Sequence, residues 1–174
     1  MTKQRPRTRR VFVVTLIAPL LLIIQPPGTG AQTAEPADLK ATFEGTWELV
    51  EWHVDGRVLR PPEINGFWSN NHGVVIANFS RQSEDIFESF IGYGTYDFDA
   101  TDWSYTYERI QVASGPSVDK APITIATGSP QRFKITREAA KVILEGTDDR
   151  REYVDGFFLY MPNDQLLRKY RKVN

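Results

Sequence analysis

The sequence contains no cysteine in its 174 residues. Disulfides and thiolate chemistry are therefore closed to it, and its stability must come from packing alone. Histidine is almost as scarce, with only His53 and His72. Neither belongs to a His-x-His, a His-Glu-x-x-His or a carboxylate–histidine cluster, so the sequence offers no catalytic metal set. A serine nucleophile would need a histidine base, and no Gly-x-Ser-x-Gly elbow is present. No cofactor is expected. Helical periodicity is lacking too: after residue 40 no stretch sustains it for three turns. The best helical candidate, Ser80–Ser89, is short and polar. There is no internal repeat and no low-complexity segment.

No apolar run is long enough to span a membrane. The longest, Val11–Ile24, is interrupted by Thr15 and Pro19, and a spanning helix needs about 20 residues. Before it stand Lys3, Arg5, Arg7, Arg9 and Arg10 with no acid, and after it come Gln25-Pro26-Pro27-Gly28 and the small residues Thr29-Gly30-Ala31. A basic segment, a short apolar core and small residues before a cut describe a secretory signal peptide. Residues 1–31 are expected to be that leader, with the cut after Ala31 or, second, after Ala34. The protein is then exported, periplasmic or extracellular, with no stable membrane span after processing. Thr8-Arg9-Arg10-Val11-Phe12 is similar to a twin-arginine export motif, a receptor-read address; adjacent arginines also occur in general secretory leaders.

The leader would carry away five basic residues and no acid, moving the net charge from −1 to −6. An acidic surface argues against nucleic acid and anionic membrane as partners. The remaining chain is long enough to bury roughly two-thirds of its unfolded surface without disulfides.

What is abundant is β pattern. Residues 32–42 read as a polar tether and 43–174 as one domain of short aromatic and β-branched runs. Strands are expected near 45–54, 73–80, 88–98, 103–113, 121–127, 130–136, 140–146, 152–160 and 165–173. Asp55-Gly56 is a strong hairpin signal. Asp99–Asp102 and Pro162–Asp164 link further runs, and Arg137–Ala139 marks a weaker turn. Asp148-Asp149-Arg150-Arg151 reads as a solvated charged turn. The fold expected is all-β, an antiparallel barrel of eight to nine strands, because closure removes exposed edges. Such a barrel can hold one small ligand.

Alternation suggests where a ligand would sit. Phe90, Gly92, Gly94, Tyr96 and Phe98 share one face of their strand; Trp103, Tyr105, Tyr107 and Arg109 share one face of the next. The link Asp99–Asp102 makes these strands neighbours, so Phe90, Tyr96, Trp103, Tyr105 and Tyr107 can line the interior together. Gly92 and Gly94 either leave space there or let the strand bend, and a bulge at either would invert the parity beyond it. Arg109 and Arg132 are the polar candidates within this set: an inward arginine binds a carboxylate bidentately or stacks on an aromatic ring as a structural pair.

Phe43-Glu44-Gly45-Thr46-Trp47-Glu48-Leu49-Val50 resembles the Gly-x-Trp opening strand of lipocalins. Asp55-Gly56, Pro61-Pro62, Gly73-Val74-Val75-Ile76, Gly92–Asp97, Gln131-Arg132-Phe133 and Leu144-Glu145-Gly146 are similar to bacterial lipocalin-like domains. The resemblance covers most of residues 43–173. It implies that Gly45 and Trp47 close one end of the barrel and that a late cation stacks on Trp47, Arg168 being favoured over Lys169 and Arg171. It also implies a small lipophilic ligand. Two alternatives remain open. One is an isomerase, cyclase or hydratase using Glu108 or Glu145 with a tyrosine; the other is a structural envelope protein with a filled barrel. Tyr105 and Tyr107 stand where such bacterial domains often carry a histidine, so chemistry built on that histidine is not implied.

Overall fold

In the computed structural model, residues 36–138 and 140–173 are described. The expected leader, residues 1–31, lies outside them. A helix, α1 (Pro36–Phe43), is followed by β1 (Gly45–Val54), β2 (Arg57–Leu59), β3 (Ile64–Asn71), β4 (Val74–Gln82), β5 (Phe87–Phe98) and β6 (Asp102–Gly115). A 3-10 turn at Val118–Lys120 leads into β7 (Ile123–Ala126), β8 (Gln131–Glu138), β9 (Lys141–Glu145), β10 (Asp149–Val154), β11 (Phe157–Pro162) and β12 (Arg168–Val173). Strands β1, β3, β4, β5, β6, β8, β9, β10, β11 and β12 pair in that order, and β12 returns to β1, closing an antiparallel barrel. β2 flanks β1 and β7 flanks β6, each outside the closed ring.

The barrel thus has ten strands rather than eight or nine. Two features were missed. Ile64–Asn71 is a strand although Asn65, Gly66, Ser69, Asn70 and Asn71 have little β-propensity. Its place is fixed by partners on both sides: Trp47 pairs with Trp68, and Trp68 with Ala77. The run 152–160 is in fact two strands joined at Asp155-Gly156. Both turn residues have positive φ, 50° and 77°, as a type I′ hairpin requires. Asp55-Gly56 makes the same turn with φ of 51° and 72°. Ser80–Ser89 is not helical; it holds the β4–β5 connection and the strand ends on either side.

Of the expected tether, residues 32–35 lie outside the described residues, and the rest is not an extended link. The chain is helical from Pro36 to Phe43, and Leu39 and Phe43 are both fully buried. The two are four residues apart, so they share one helix face. That face plugs the end of the barrel where β1 begins. The Phe43 ring packs edge-on against Phe98 at 5.5 Å and against Tyr153 at 5.2 Å. Asn70, itself fully buried, donates from Nδ2 to the Phe43 carbonyl, and the Tyr96 hydroxyl donates to Glu44. This is the closed end.

Trp47 belongs to that plug and is 1% exposed. Its ring meets Tyr153 at 5.5 Å and Phe158 at 6.4 Å. The cation over it is Lys172, with Nζ 5.2 Å from the ring, and not Arg168. Lys172 also donates to the Ala41 carbonyl, tying α1 to the last strand. Arg168 lies at the opposite end of β12, where it pairs with Trp52 across a bulge in β1.

Candidate functional site

The interior is packed below and hollow above. Near the closed end, Trp103 is fully buried against Phe43, Phe133 and Tyr105. Toward the other end a half-open cavity of about 280 Å³ remains. Trp68, Phe79, Phe90, Tyr107 and Phe158 form much of its apolar wall, while Arg151, Arg168, Tyr105, Tyr160 and Tyr170 supply polar groups. Gly128, Ser129 and Gln131 form its rim.

That rim arises where the wall changes partner. β6 pairs with β8 along Asp102–Tyr105 but with β7 along Ile110–Ala113. Between them the chain crosses as an exposed link, anchored by the Gly128 amide donating to the Tyr107 carbonyl at 2.8 Å. A bulge accompanies the change. Tyr93 faces Arg109 while Gly94 faces Tyr107, so Glu108 is the extra residue on β6. The bulge therefore sits on β6 and not at Gly92 or Gly94. Both glycines face inward, and their space is used. A Cβ on Gly92 would stand 2.9 Å from the Phe90 and Tyr107 rings, and one on Gly94 would lie within 1.9 Å of the Thr106 carbonyl.

The bulge decides the fate of the sequence-derived set. Phe90, Tyr105 and Tyr107 line the cavity. Tyr96 and Trp103 face inward but belong to the packed closed end. Arg109, beyond the bulge, is turned outward and exposed. Arg132 is exposed as well, with its Nε on Asp102 at 3.0 Å. Neither lines the cavity. Glu108 and Glu145 are also exposed.

An arginine does stand among Trp103 and Tyr105, but it comes from β10. Arg151, expected in a solvated turn, is 3% exposed. It alternates with Tyr153, which also faces inward, and the Asp155-Gly156 turn fixes that parity. Its Cζ lies 4.4 Å from the Phe133 ring centroid, 4.9 Å from Tyr105 and 5.1 Å from Trp68. Nη2 donates to the Tyr105 hydroxyl at 2.9 Å and to Asp149 at 3.1 Å. Burial works against its charge, but Tyr105 and Asp149 outweigh that penalty and raise its pKa further. The Nη1 atom is buried with no hydrogen-bond partner among the described residues.

Arg168 is the second cavity cation. Its Cζ sits 3.9 Å from the Phe79 ring centroid, 4.7 Å from Tyr160 and 5.2 Å from Trp52. Its Nε is buried and also without a partner among the described residues. Burial raises the pKa of Tyr170, and Arg168 beside it partly offsets that rise. Burial likewise keeps Tyr107 and Tyr160 in the neutral form. Among the described residues no group of three His, Asp or Glu side chains is placed to hold a metal.

No family model matches this sequence, and no curated protein and no solved structure matches it significantly.

Proposed function

We propose that this protein is an exported, lipocalin-like barrel that binds a small lipophilic molecule in the open half of its interior. The observation that carries the reading is the cavity itself. One end of the barrel is filled by α1, Trp47 and Trp103, whereas the other keeps about 280 Å³ walled mainly by aromatic rings. That is close to the lower end of the range of about 300–1,000 Å³ usual for ligand sites, with the same mixture of apolar wall and few polar groups. A filled structural barrel would have no reason to retain it. Of the acids named for a catalytic alternative, Glu108 and Glu145 lie on the outside.

The test is non-denaturing mass spectrometry of protein isolated from the cells that make it, followed by titration of the emptied protein with medium-length alcohols and acids. A stoichiometric small molecule, or a rise in Tm together with quenched Trp68 emission on titration, is expected. A protein that carries nothing and responds to none of the probes overturns the reading.

A further inference from the structure

We infer that the ligand is a monocarboxylate on a short apolar body, its head held by Arg151 and Arg168 and its tail by Phe79, Phe90 and Tyr107. This rests on the binding reading above and adds the chemical class of ligand.

The charges of the cavity motivate it. Arg151 has one carboxylate partner, Asp149, at 3.1 Å. Arg168 has none among the described residues, and no Asp or Glu lines the cavity. The lining therefore keeps one unmatched positive charge. Both guanidinium groups line the cavity while being largely withdrawn from water. Buried polar groups are rarely left unpaired, because the desolvation of a charged donor is costly unless an acceptor replaces the lost water. A carboxylate set against these two cavity-lining arginines supplies the missing charge.

The geometry is ready for such a head. Both guanidinium groups are clamped by aromatic faces, and they share Tyr160, whose ring centroid is 5.5 Å from Arg151 Cζ and 4.7 Å from Arg168 Cζ. Planar guanidinium groups stacked in this way lose little freedom on binding. The size of the body follows from the volume. At roughly 30 Å³ for each water-sized group, 280 Å³ admits about nine such groups. Decanoate, with part of its tail at the rim, is therefore a fitting probe.

The experiment compares decanoate with 1-decanol, which has the same chain and no charge, on the full chain after export and removal of any bound molecule. Charge-assisted pairing predicts that decanoate binds ~10-fold or more tightly than decanol. Arg168→Met should erase most of that preference, weakening decanoate far more than decanol, because only decanoate loses a charge partner. Arg168 is only half-buried, so this variant should fold; the wild-type comparison of the two ligands needs no variant. If decanol binds as well as decanoate, the carboxylate inference fails and lipophilic binding stands. If decanoate is preferred but Arg168→Met and Arg151→Met, both folded, bind it normally, the head is elsewhere and the assignment is wrong. If neither probe binds, both the inference and the binding reading fail.

Discussion

Arg151 Nη2 donates a 2.9 Å hydrogen bond to the Tyr105 hydroxyl, joining β10 to β6 across the barrel interior. The two strands are not neighbours in the wall, where β8 and β9 lie between them. Removing the hydroxyl in Tyr105→Phe keeps the ring and its packing but leaves the buried guanidinium with Asp149 alone. A hydrogen bond to a charged group contributes about 1.5–3 kcal/mol, so a loss in that range is expected in urea denaturation with the m-value unchanged. A loss below about 0.5 kcal/mol, the level of an ordinary surface substitution, would mean that the bond is not made in solution.

Trp47 lies at the plugged end and does not line the cavity, so its truncation is expected to affect stability rather than binding. Trp47→Ala should cost about 3–5 kcal/mol, as for other buried aromatic truncations. Lys172→Met should cost much less, about 1 kcal/mol, since it removes one partly exposed cation–π contact and one hydrogen bond. Equal losses for both variants would show that Lys172, rather than the buried ring, secures α1 to the barrel.

The barrel class was legible because its evidence is local. Asp55-Gly56 forces a hairpin, and clean alternation in 90–98 and 103–107 survives as the inward rows of β5 and β6. The strand count was less legible. β3 owes its place to Trp47 and Ala77 across its two edges, which no window of its own sequence contains. The second Asp-Gly turn, at 155–156, carries the same signal as the first but lies inside an apolar run that masks it. The site was half legible for one physical reason. Aromatic parity held as far as Tyr107, and Glu108 then added one residue, turning Arg109 outward. The arginines that do enter, Arg151 and Arg168, stand two residues from the inward tyrosines Tyr153 and Tyr170. That spacing was available in the sequence, but adjacent charges at 148–151 hid it for Arg151.

The glycines of β5 make opposite demands. A methyl group at Gly92 would press on ring edges of Phe90 and Tyr107 at 2.9 Å, and rings can turn. At Gly94 it would lie within 1.9 Å of the Thr106 carbonyl and 2.7 Å of the Tyr107 Cα, where the bulged backbone has no room. Gly92→Ala should therefore cost about 1–3 kcal/mol, the usual range for an overfilled core, and should shrink the cavity wall at Phe90. Gly94→Ala should cost more, because backbone must move and the β5–β6 ladder with it. Thermal unfolding of the two variants orders them; a more stable Gly94→Ala would place the bulge elsewhere.

The buried tyrosines predict how the fold fails in alkali. Burial raises the pKa of Tyr96 from 10 to about 12, Glu44 beside it adding to the rise and the Gly73 backbone opposing it. Tyr107, Tyr153 and Tyr170 are raised as well, again chiefly by burial. The native state thus holds these phenols protonated at a pH where the unfolded chain ionises them. Their contribution to stability is fully present below pH 10 and is lost as pH rises through about 12 for Tyr96, since the unfolded state then binds fewer protons than the native one. Unfolding free energy measured against pH should fall steeply above pH 10, and the tyrosinate absorbance of these buried phenols should lag until the barrel opens, then rise together with the loss of far-ultraviolet β signal. If Tyr96, Tyr107, Tyr153 and Tyr170 ionised near pH 10 while that β signal stayed intact, their hydroxyls would be facing water, and both the plugged end and the cavity wall would be misassigned.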